Sequence, residues 1–137
     1  MSKQDNVPSW VRIAVGALAL VNIGFGIISY IDMHVLYHEA TGVDMTNVFI
    51  KNANLEFAAR NLAIGLALGF VTIIKGAPEA LTILTIVRAL IEIQTIIISV
   101  VHGNFDSMFL ASIAFLIVEA VIVKTLVGVI KKEEEEG

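Results

Sequence analysis

The chain has no cysteine, which excludes disulfides, thiolate nucleophiles, zinc knuckles and iron–sulfur clusters. Charge is scarce as well: Asp, Glu, Lys and Arg make up 16% of the sequence, where an ordinary soluble domain carries about 25%. That deficit leaves too little charge for a water-facing surface. Nine Lys+Arg stand against thirteen Asp+Glu, a net charge of −4. No basic stripe is available to meet phosphates, which excludes a nucleic-acid partner. What the sequence has in excess is apolar side chains, 57% of 137 residues, with a mean hydropathy of +0.85. A disordered chain has the opposite composition. The length is that of one domain, and the composition is that of a small multi-spanning membrane protein.

Four apolar stretches run over residues 10–31, 55–74, 79–101 and 107–130. Each reaches the ~20 residues that cross a hydrocarbon core at ~1.5 Å per residue. In lipid each span must satisfy its own backbone hydrogen bonds, which predicts helices. The polar/apolar alternation of a β-barrel is absent. The expected fold is therefore all-α, an integral membrane four-helix bundle forming a single domain over 1–137. The first span is read as a retained helix: it is too long for a signal h-region, and three more follow.

Three features predict the connections. Gly76 and Pro78 form a tight turn before the third helix. Gly103 closes that helix, and Asp106 or Ser107 can cap the fourth. The segment 32–54 reads as a long external loop, and loops of that length are usually functional or carry structure of their own. An even number of spans puts both termini on one side. That side collects Lys3, Arg12, Lys75, Lys124, Lys131 and Lys132, while Lys51 stands opposite. By the positive-inside rule both termini are cytoplasmic, in a plasma membrane expected to be prokaryotic. The run Glu133–Glu136 reads as a solvated tail.

The informative residues are polar groups inside the spans, where a central charge costs roughly 2.5–3.5 kcal/mol on insertion scales. They are Asn22 in the first helix, Glu56, Arg60 and Asn61 in the second, Arg88, Glu92 and Gln94 in the third, and Glu119 in the fourth. Glu56 and Arg60 are spaced i,i+4, as are Arg88 and Glu92 in reversed order, so each helix carries its own ion pair. Glu119 has no partner on its own helix. It must face water, share an arginine or be protonated. The helix rise puts Arg60 roughly 8 Å from the outer surface, Arg88 about 14 Å and Glu92 about 20 Å from the inner one, and Glu119 about 18 Å from the outer one. Glu56, Arg60, Arg88, Glu92 and Glu119 are therefore expected to line one polar pocket among helices two, three and four, open outward. The competing reading is a set of ion pairs that hold the helices together.

His34 and His38 are i,i+4 in the long loop, and His102 lies at the same membrane face. Such a set can chelate a metal, but the pattern is weak and no metal or cofactor is assigned. A pH-sensing role for these histidines stays open. Gly65 and Gly69 make a G-x-x-x-G, and Gly24 and Gly26 thin the first helix; small residues let helices approach closely, within the bundle or between protomers. Trp10, Tyr30 and Tyr37 fit the interfacial aromatic belt. Phosphate loops, nucleophile elbows and serine–base pairs are missing. A Glu-x-x-His pair, which a di-iron bundle needs, is also missing. Glu92 and Glu119 could do acid–base work if they converge, but the pattern leans against an enzyme.

The segment Phe57-Ala58-Ala59-Arg60-Asn61-Leu62-Ala63-Ile64-Gly65-Leu66 resembles a motif of small four-helix membrane proteins, the DoxX-like proteins and their relatives of the DUF4345 and DUF4267 kinds. In these the second helix begins with an arginine, a polar residue and a leucine–glycine run. The third often carries an arginine, as Arg88 stands here, followed by an acidic residue. The resemblance covers the order and length of the helices and implies the same fold, with Arg60 and Arg88 as members of a shared pocket. The loop over 32–54 departs from the pattern. Since that group has no settled activity, the resemblance implies no reaction. The expected function is binding or transport of a small molecule, ion or lipid-like ligand in an intramembrane polar pocket. The alternative is a non-catalytic accessory subunit of a larger or homo-oligomeric complex. Expected partners are membrane lipid and the small molecule or ion, with self-association left open.

Overall fold

The computed structural model describes residues 6–31, 46–74 and 76–137. They form four helices: α1 (Ser9–Ile31), α2 (Val48–Ile73), α3 (Pro78–His102) and α4 (Ser107–Glu136), with no strand among the described residues. All four are long and apolar enough to cross a membrane. The chain is an all-α membrane protein.

The helix ends follow local chemistry. Gly103 adopts φ 65°, a left-handed conformation that glycine enters without Cβ strain. Its N–H donates to the Val100 carbonyl at 3.2 Å, and Asn104 N–H donates to Ser99 at 2.8 Å. These two bonds make the Schellman motif that satisfies the last carbonyls of α3. Asp106 caps α4, its Oδ1 accepting from Phe109 N–H at 3.0 Å. Pro78 occupies the first turn of α3.

Two boundaries differ from the sequence reading. α2 begins at Val48 rather than near 55, because Asn47 caps it: its Oδ1 accepts from Phe49 N–H at 2.9 Å. The polar stretch with Lys51, Asn52 and Asn54 is thus helical, and the connection before α2 is shorter than 32–54 implies. α4 continues to Glu136 rather than 130. The glutamates extend the helix, with Lys132 and Glu136 paired i,i+4 at 3.8 Å.

Three of the helices bury a narrow stripe with steps of three, four or seven residues. In α1 it is Val11, Val15, Leu18, Asn22, Gly26 and Ser29; in α3 it runs through Leu81, Thr85, Arg88, Glu92 and Ser99; in α4 through Ser112, Glu119, Ile122 and Leu126. This is the a/d period of a helix face that packs on a neighbour. The stripes mix apolar residues with the buried polar ones, Asn22, Ser29, Thr85, Arg88, Glu92, Ser99, Ser112 and Glu119, while large apolar side chains such as Leu20, Phe70, Ile83 and Leu110 are exposed. The inversion suits a lipid solvent, in which helix association depends on packing and interhelical polar contacts. Several buried hydroxyls and amides bond to their own helix: Thr82 to Pro78 O and Thr85 to Leu81 O, both at 2.7 Å, and Asn22 to Leu18 O at 2.8 Å. These bonds take up carbonyls of the preceding turn.

The chain divides into two compact units, Gly16–Phe70 and Met1–Val15 with Val71–Gly137. In the first, α1 and α2 approach backbone to backbone. A Cβ on Gly65 would lie 2.8 Å from Ile23 N and 2.9 Å from Ala19 O, and one on Gly26 would lie 2.9 Å from Leu62 N. The G-x-x-x-G therefore works inside this unit, chiefly through Gly65; a Cβ on Gly69 would meet Ala19 Cβ at an ordinary 3.8 Å. Asn54 adds an interhelical bond, its Nδ2 donating to Ser29 O at 2.9 Å.

In the second unit α3 packs on α4. Arg12 Nη1 reaches Gly76 O at 3.4 Å, and Asn6 Nδ2 donates to Glu133 at 3.1 Å. These bonds bring the start of α1, the turn before α3 and the end of α4 to one end of this unit.

Candidate functional site

The hairpin of α3 and α4 sets the register of the charged residues. Counting back from the ends at His102 and Ser107, Glu92 lies about 15 Å, Glu119 about 18 Å and Arg88 about 21 Å along their helices. The three fall at one level, on the buried stripe of each helix.

Their side chains meet there. Arg88 Nε lies 2.8 Å from Glu119 Oε1, and Arg88 Nη2 lies 3.1 Å from Glu92 Oε1. Side-chain exposure is 6% for Arg88, 10% for Glu92 and 0% for Glu119. The guanidinium also sits over the Phe115 ring, 5.0 Å from its centroid, the geometry of a cation–π contact. One arginine thus serves two carboxylates and one aromatic face. Of the alternatives for Glu119, the geometry shows a shared arginine. Its second oxygen, Oε2, is buried and meets no hydrogen-bond donor among the described residues.

With both carboxylates ionised, the cluster carries one arginine charge against two negative charges. One proton or one monovalent cation brings it to neutrality. Away from water an uncompensated charge is costly, so the third ionisable group makes the cluster chemically open-ended in a way that a simple pair is not.

Glu56 and Arg60 behave differently. They pair along α2 at 3.5 Å, with side chains 70% and 75% exposed. They belong to the unit Gly16–Phe70, whereas Arg88, Glu92 and Glu119 belong to the other. Asn61 is half-buried and bonds to Phe57 O at 3.0 Å; Gln94 is exposed. His102 is exposed in the last turn of α3. His34, His38 and Tyr37 lie outside the described residues. No metal-binding group of three or more His, Cys, Asp or Glu occurs among the described residues.

Sequence reasoning did not single out Phe115. The available signal was its place four residues before Glu119, which puts both on one face of α4. A cleft of about 100 Å³ between Asn6 and the last turns of α4, lined by Val129, Lys132, Glu133 and Glu136, does not reach the cluster. Compared with protein families, with curated proteins and with solved structures, the chain matches none.

Proposed function

We propose that this membrane protein holds a proton or a small monovalent cation between α3 and α4, at Arg88, Glu92 and Glu119, as part of binding or transporting a small molecule or ion. One observation carries the reading: Glu119 is wholly buried, shares its arginine with Glu92, and keeps an oxygen without a donor among the described residues. A purely structural pair needs one carboxylate per guanidinium. The second carboxylate is what a proton or cation neutralises, and intramembrane ionisable groups of this kind mark ion and proton pathways. The excess negative charge favours a cation over an anionic head group.

The test uses the full chain in lipid discs. Infrared difference spectra are recorded across pH, and thermal unfolding is compared in sodium, potassium and choline chloride at one ionic strength. The expected result is a protonated-carboxyl band or a cation-dependent stabilisation, either of which disappears in Glu119→Gln. If neither signal is present, or both survive in that variant, the reading fails.

A second reading, a non-catalytic accessory subunit of a larger or homo-oligomeric complex, is supported by the exposed Glu56–Arg60 pair. The positions of Arg60 and Arg88 and the order of the helices support kinship with the DoxX-like proteins. The Lys and Arg distribution supports cytoplasmic termini, and the resemblance to the DoxX-like proteins supports a prokaryotic plasma membrane.

A further inference from the structure

The Glu56–Arg60 pair on α2 is a charged feature with chemistry of its own. Within a span, an ion pair left facing hydrocarbon is expensive, and such groups persist when another protein surface or water meets them. Glu56 and Arg60 bond to each other at 3.5 Å, and most of both side chains stays uncovered. They lie on a face whose exposed residues recur at steps of three, four and, at the end, seven positions: Phe49, Ala53, Glu56, Arg60, Ala63 and Phe70. That is the 3.5-residue period of a helix–helix seam. Ala53 and Ala63 are small enough to let two backbones come close. Gly65, which the sequence offered for such a contact, is already taken by α1.

The face is complementary to itself. Two copies inserted in the same orientation bring their α2 helices together in parallel, related by a two-fold axis along the membrane normal. In that arrangement each seam residue lies level with its own copy, and side chains tilt towards the helix N-terminus, so Arg60 leans towards the level of the partner's Glu56. One helical turn is about 5.4 Å, a distance that the long arginine side chain spans.

We propose that α2 pairs with α2 of a second copy of this chain, with Arg60 of each protomer bonded to Glu56 of the other. Each carboxylate then meets a guanidinium from its own helix and one from the partner, and four charges are removed from lipid together. Charge complementarity selects this occupant: an anionic lipid head group would satisfy Arg60 and repel Glu56, and an uncharged helix would satisfy neither.

The test exploits the absence of native cysteine. Ala63→Cys on the seam and Leu110→Cys, exposed on α4, are oxidised in neutral and in anionic phospholipid vesicles at increasing lipid dilution. The expected result is cross-linking of Ala63→Cys roughly tenfold above Leu110→Cys in both lipids. By fluorescence energy transfer between labelled copies, Arg60→Glu and the milder Arg60→Gln lose association, and the double exchange Glu56→Arg with Arg60→Glu restores it. Equal cross-linking at the two positions overturns the proposal, as does association unchanged in Arg60→Glu. Monomers whose Arg60 responds only to anionic lipid also overturn it, in favour of a lipid head group.

Discussion

Arg88 on α3 and Glu119 on α4 place Nε and Oε1 2.8 Å apart, both side chains almost wholly buried, and the same guanidinium reaches Glu92 through Nη2. A single arginine therefore ties two helices together and answers for two negative charges. Removing it and removing one of its partners should have very different consequences.

Arg88→Ala leaves two carboxylates in a dry interface with no counter-charge. Breaking a buried ion group from one side costs about 3–5 kcal/mol, so this variant should unfold much earlier than the wild type in detergent titrations followed by circular dichroism. Arg88→Lys should recover only part of the loss, because an ammonium lacks the planar fork that addresses two carboxylates and stacks over Phe115.

Glu119→Gln should be mild by comparison. It leaves Arg88 paired with Glu92 and keeps the side chain's shape. Its cost in the same titration should fall well below that of Arg88→Ala. Combined with Arg88→Ala it should be non-additive, with an interaction energy of about 0.5–3 kcal/mol. Strict additivity would show that the two do not interact.

The glycines of α2 separate by space. Gly65→Ala drives a methyl to within 3 Å of α1 backbone atoms, and overpacking of this kind costs about 1–3 kcal/mol. Gly69→Ala meets ordinary van der Waals distance and should be neutral or should gain up to about 1 kcal/mol of helix propensity. Thermal unfolding of the two variants side by side checks the order.

The hairpin turn gives a further comparison. Gly103→Ala forces a Cβ into the left-handed region, at about 1–2 kcal/mol. Asp106→Ala removes the cap from Phe109 N–H, at about 0.5–2 kcal/mol. Both should lower stability while the Arg88–Glu119 pair persists, which an unchanged interaction energy between Arg88→Ala and Glu119→Gln in each background would report.

Local signals were readable from the sequence. Pro78, Gly103 and Asp106 mark helix ends through their own backbone or side-chain chemistry, and the structure uses all three at those ends. Arg88, Glu92 and Glu119 stood out because charges are rare in apolar runs. The orientation of each helix was not readable. Glu56–Arg60 and Arg88–Glu92 share one spacing, yet the first pair is exposed and the second buried. Spacing decides which residues share a helix face, and packing decides where that face points. In lipid the usual guide is missing, since outward faces are apolar too. For the same reason Phe115 looked like any lipid-facing aromatic. The start of α2 was hidden because Lys51, Asn52 and Asn54 imitate a loop, while the signal at Asn47 lay further back.

The short turn at Gly103 and Asn104 also bears on how the protein reaches the bilayer. α3 alone would carry Arg88 and Glu92 into hydrocarbon, and α4 alone would carry Glu119. Each such charge opposes partitioning by roughly 2.5–3.5 kcal/mol. Joined by four residues, the two segments can leave the insertion machinery as a hairpin with guanidinium and carboxylates already matched. Biogenesis of this protein should then proceed pairwise at α3–α4, and lengthening that turn should strand one segment outside the lipid.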